Sequence, residues 1–173
     1  VGNGFGHIAG SRTGWGGGIF IDGQPYPFGT RPVYTPTIEG NLIENNGAAA
    51  NGGGIGAIGY IALRLVDNVI RDNVTDRGDG GGLWLYTKSD DSLIQDNEFS
   101  GNVAGDHGGG IYVIGHPDGS TKLLIERNSV FANVAQVKSG LADGGGGLWL
   151  VDTSALVQRN TFVGNAIAEG STG

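Results

Sequence analysis

A chain of 173 residues suits one domain with a real core, and 38% hydrophobic against 16% charged residues argues against disorder, although 36 glycines are about three times the usual share. The net charge of −7, with no Lys/Arg cluster, argues against nucleic acid as a partner. The absence of Cys excludes disulfides and thiolate metal sites, and no apolar run approaches the roughly 20 residues that span a bilayer, so no membrane insertion is expected.

In chain order, "WGGGIFI" (15–21) sets three glycines against an alternating apolar run, and the loop "IDGQPYPFGTRPVYTP" (21–36) leads to "NLIENN" (41–46). The same two elements return as "NGGGIGA" and "NVIRDN", as "DGGGLWL" and "NEFSGN", as "HGGGIYV" and "NSVFAN", and as "GGGGLWL" and "NTFVGN". Between them, "GHPDGSTK" (115–122) and "QVKSGLAD" (136–143) read as further outward loops. The runs end on Gly18, Gly54, Gly82, Gly110 and Gly147, and the Asn pairs open on Asn41, Asn68, Asn97, Asn128 and Asn160 and close on Asn46, Asn73, Asn102, Asn133 and Asn165.

Alternation turns Ile111 and Val113 inward and Tyr112 outward, and a strand between each Asn pair carries Ile43, Ile70, Phe99, Val130 or Phe162 inward. Burying such faces once per roughly 30 residues requires each coil to stack on the last. The expectation is an all-β, right-handed parallel β-helix of about five to six coils, each of three short strands, forming one domain over residues 1–173. Glycine supplies positive φ and close approach at one corner, and Asn, tolerant of the left-handed region, supplies ladders at the others. Ala48, Thr75, Ala104 and Ala135 fit a crowded inward turn, with Ile167 the exception.

These motifs resemble right-handed β-helix repeat proteins of the pectate-lyase-like superfamily. The Gly-Gly-Gly-[Ile/Leu] runs and the tetrapeptides "FSGN" (99–102) and "FVGN" (162–165) are also similar to the repeats of polymorphic outer-membrane autotransporter passengers. The resemblance implies the fold and leaves open polysaccharide lyases, hydrolases, adhesins and stalks.

Phe20, Trp84, Tyr112 and Trp149 share the outward position of the Gly-led strands, with Gly56 between the first two, forming an aromatic stripe for a glycan or a protein partner; rings stacked on one another or covered by a neighbouring loop are the competing reading. Asp79, Asp106 and Asp143 precede glycine runs, with His107 beside the second, and are a candidate Ca²⁺ edge; a solvated acidic edge is the competing reading. No other cofactor is indicated. Asp90 and Asp91, being adjacent, face opposite sides of an extended strand, and His116, Lys122 and Arg127 lie at scattered phases, so no catalytic residue is assigned. Asp67, Asp96, Arg127 and Arg159 stack at one position, where Asp96 is expected to pair with Arg127. "RGD" (77–79) and the sequon "NVT" (73–75) are weak signals.

The "VGN" at 1–3 returns at 163–165, so the chain starts and stops near one phase of the coil, as expected for a segment of a longer solenoid or for subunits stacked head to tail. The functional expectation is an extracellular or cell-surface structural solenoid: a filament, sheath or stalk subunit with adhesive potential that assembles end to end. The alternative is a polysaccharide-binding module or a β-helix lyase or hydrolase.

Overall fold

The structure is a computed structural model that describes residues 14–24, 32–117, 121–136 and 144–168. Parts of the three loops, with Asp143, lie outside them.

Every strand pairs in parallel with the equivalent strand one coil on, giving four sheets of five strands. The Gly-led sheet contains Ile19–Gly23, Ile55–Gly59, Leu83–Thr87, Ile111–Ile114 and Leu148–Val151. A second sheet runs from Thr37–Glu39 to Ser154–Gln158, and a third from Leu42–Glu44 to Thr161–Val163. The fourth stacks the two-residue strands Gly47–Ala48, Val74–Thr75, Val103–Ala104, Val134–Ala135 and Ala166–Ile167. A coil therefore holds four strands where the sequence pattern suggests three, because a two-residue strand is too short to show alternation. The sheets are five rungs deep, so about four turns separate first and last strands, slightly fewer than the five to six coils expected.

The inward columns run as anticipated. Ile43, Ile70, Phe99, Val130 and Phe162 lie in register, as do Ile38, Leu65, Ile94, Ile125 and Val157. The interior members of both columns are fully buried.

Two Asn ladders hold the corners. The Asn97 N–H and Nδ2 donate to Asn128 Oδ1 at 2.9 and 3.0 Å, and Nδ2 also donates to the Leu65 carbonyl at 2.8 Å. Asn102 repeats the pattern with Asn133 Oδ1 and the Ile70 carbonyl. Each amide thus satisfies buried backbone on two rungs, which water cannot reach. The ladder residues are not themselves left-handed. Positive φ falls one residue earlier, at Gly40, Asp67, Asp96, Arg127 and Arg159 before one ladder and at Asn45, Asp72, Gly101, Ala132 and Gly164 before the other.

The glycine runs divide their labour likewise. The first glycine takes positive φ, as at Gly52 (φ 72°) and Gly80 (φ 66°). The last is required by space: a Cβ on Gly54 would lie 2.7 Å from the Gly82 carbonyl oxygen and 3.0 Å from Asn73 Nδ2.

Candidate functional site

The Gly-led sheet carries its outward residues in the expected register: Phe20, Gly56, Trp84, Tyr112 and Trp149. A second outward column, one residue pair further along, contains Ile58, Tyr86, Ile114 and Val151, and the two columns pack into an apolar cluster separate from the solenoid core. Trp84 and Tyr112 are only 5% and 8% exposed, so their ring faces are closed to a glycan; Phe20, at 43%, is open. Sequence reasoning missed Trp15. Its ring lies 5.7 Å from both Phe20 and Trp84, completing the stack across the rung where Gly56 has no side chain. The signal was Gly56 itself, a gap that a neighbouring ring can fill.

His107 caps the other end of the stripe, 5.3 Å from the Trp149 ring and 6.2 Å from that of Tyr112. Its backbone N–H donates to Asp79 Oδ1 at 3.0 Å, its Nδ1 lies 2.9 Å from the same oxygen, and Asp106 Oδ2 stands 3.6 Å from Nδ1. Burial, and then the negative charges of Asp79, Asp106 and Asp152, push the Tyr112 phenol up to about 12. Ligand atoms of Asp79, Asp106 and His107 lie within 4.8 Å of one another, so two of the three aspartates flagged in the sequence converge, joined by a histidine. Two oxygens and an imidazole nitrogen form a mixed donor set, whereas Ca²⁺ takes six to eight oxygens.

Among the weaker motifs, Asn73 is fully buried in the ladder and so closed to glycosylation in the folded chain, and Asp79 of "RGD" is engaged by His107. Arg127 Nε donates to Asp96 Oδ1 at 2.8 Å and its Nη2 to Oδ2 at 3.0 Å, forming the expected pair. That guanidinium, with help from Gln95, holds the Asp96 carboxyl below its ordinary range.

Beside the second sheet, Val33, Thr35, Arg64, Lys88, Asp90 and Asp91 line an open groove. Lys88 Nζ lies over the Tyr60 and Tyr86 rings at 5.8 and 5.4 Å, and Asp90 Oδ1 accepts the Lys122 N–H at 3.0 Å. Asp91 has φ 67°, which sets this corner apart from a regular strand.

The two ends of the described solenoid differ. In the last rung the inward side chains Val157, Phe162 and Ile167 are 39%, 43% and 53% exposed, while their first-rung counterparts Ile38, Ile43 and Ala48 are 6–9% exposed. The last rung also ends both ladders. Asn160 and Asn165 accept from the rung before, but among the described residues nothing accepts from their own backbone N–H groups.

No helix among the described residues is long and apolar enough to cross a membrane. No curated protein and no solved structure matches the sequence. The family described as right-handed β-helix region matches residues 7–172, and the observed parallel solenoid agrees with it. The chain belongs to the right-handed β-helix family.

Proposed function

We propose that this chain is a structural β-solenoid of the cell surface or extracellular space, serving as a filament, sheath or stalk subunit, and that it extends end to end. The observation that carries the reading is the last rung. Among the described residues it exposes three inward side chains and leaves the backbone N–H groups of Asn160 and Asn165 without an acceptor, with four parallel edges beside them. Such a surface is a template for a further rung. The lateral surface lends itself less to specific chemistry: the aromatic stripe is mostly self-packed, and the Asp79–His107 pair is an internal contact. Static light scattering across a concentration series tests the proposal. A mass that rises with concentration, with elongated particles by electron microscopy, is the expected result; a constant monomer mass would overturn it.

The groove at Arg64, Lys88, Asp90 and Asp91 favours a second reading, a polysaccharide-binding module, because it gathers cations and carboxylates beside exposed Val33. Co-sedimentation with insoluble polysaccharides, lost in Lys88→Ala, would support it.

A further inference from the structure

We infer that Asp79, Asp106 and His107 form a binding site for a divalent transition-metal ion of the Zn²⁺ class, set at the corner that leads into the Gly-led sheet. The site is independent of end-to-end assembly.

The repeat builds the constellation. With Gly54, Gly82, Gly110 and Gly147 aligned, the position three residues before them holds Asn51, Asp79, His107 and Gly144. The backbone pairs rung to rung here: the Gly52 N–H donates to the Asp79 carbonyl at 3.0 Å and the Gly80 N–H to that of His107 at 2.9 Å. Asp79 and His107 are therefore direct neighbours along the rod, one rung, about 4.8 Å, apart. Asp106 comes from one residue earlier, its N–H donating to Gly78 of the preceding rung at 3.0 Å.

The spacing suits a small ion. His107 Nδ1 stands 2.9 Å from Asp79 Oδ1 and 3.6 Å from Asp106 Oδ2, and one ligand atom from each residue lies within 4.8 Å of the other two. Donors about 2.1 Å from an ion stand about 3.0 Å apart at a right angle and about 3.4 Å apart at the tetrahedral angle, so the two separations bracket those of a shared ion.

The donors are also held in place. Asp79 Oδ1 accepts the His107 backbone N–H at 3.0 Å, which orients the carboxylate and leaves that oxygen a second lone pair. The His107 ring stacks on that of Trp149, with centroids 5.3 Å apart and an interplanar angle of 27°. Donors already oriented lose little freedom when an ion arrives. Binding replaces the contact between Nδ1 and Oδ1: Nδ1 gives its lone pair to the ion and the ring proton sits on Nε2.

Charge and donor type select the ion. Two carboxylates balance a divalent charge, and the three side chains, 19–23% exposed, leave access for water to complete the coordination shell. An imidazole among carboxylates suits Zn²⁺, Ni²⁺ and their neighbours, whereas Ca²⁺ favours an all-oxygen shell.

The test is isothermal titration calorimetry of the tag-free chain, stripped with a chelator, against ZnCl₂ and separately against CaCl₂, for wild type, Asp106→Asn and His107→Gln. Far-UV circular dichroism confirms that each variant keeps the fold. Wild type is expected to bind Zn²⁺ saturably and more tightly than Ca²⁺, and each substitution to weaken Zn²⁺ at least about tenfold. In wild type alone, NiCl₂ should quench tryptophan fluorescence and chelator restore it, because His107 lies against Trp149. Zn²⁺ affinity unchanged in both variants would put the ion elsewhere on the chain and overturn the inference. No saturable binding, a preference for Ca²⁺, or emission that Ni²⁺ leaves unchanged would overturn it as well, leaving the cluster a hydrogen-bonded corner.

Discussion

At the residue scale, the ladder asparagines are amides whose two functions are both used. Replacing Asn102 by Ala removes the acceptor for the Asn73 N–H and Nδ2 and the donor to Ile70, leaving buried groups unpaired. Chemical denaturation should show a loss of about 2–4 kcal/mol, since each orphaned buried group costs roughly 1–3. Ala132 holds φ 53° before the second ladder, a position where its equivalents include Gly101 and Gly164. Left-handed backbone costs a non-glycine residue about 1–2 kcal/mol, so Ala132→Gly should stabilise the chain by about 0.5–1 kcal/mol in the same assay, after glycine's own entropic cost. Gly54 points the other way. Its Cβ would strike the Gly82 carbonyl, and Gly54→Ala should destabilise by about 1–3 kcal/mol.

At the element scale, the Gly-led sheet buries apolar residues on both faces, which explains why its runs read as near-continuous "LWL" and "IYV". The phenol of Tyr112 lies in the outer layer among carboxylates, and its raised pKa makes a pH prediction. The unfolded chain ionises this phenol near its ordinary value of about 10, and the folded chain only near about 12. The stability tied to the neutral phenol is therefore complete below about pH 10 and lost as pH rises towards 12. Wild type should lose about 2 kcal/mol more than Tyr112→Phe between pH 9 and 12 in urea unfolding. The repeat made the strands, their register and the core columns legible, because fixed spacing puts Phe99 over Ile70 whatever the loops do. The left-handed positions were misplaced by one. Asn favours that region in isolation, but the ladder needs its amide beside its own N–H, so the preceding residue makes the bend. The Asp79–His107 bond was hidden because it joins residues 28 apart across a rung, with Asp106 one step out of phase.

At the scale of the whole molecule, the solenoid is a rod with a sense. Its side-chain ladders, its inward columns and the step from Asp96 to Arg127 all run one way along the described rungs. Function was less legible than fold because the sequence spends its regularity on corners; the loops that break the pattern are short stretches with no repeat to check them against. The most direct measurement is cryo-electron microscopy of the concentrated protein. Five rungs at about 4.8 Å each predict filaments with an axial repeat of about 24 Å and an unbroken rung spacing across each junction. Discrete single rods at every concentration, or rods joined side by side, would contradict the account.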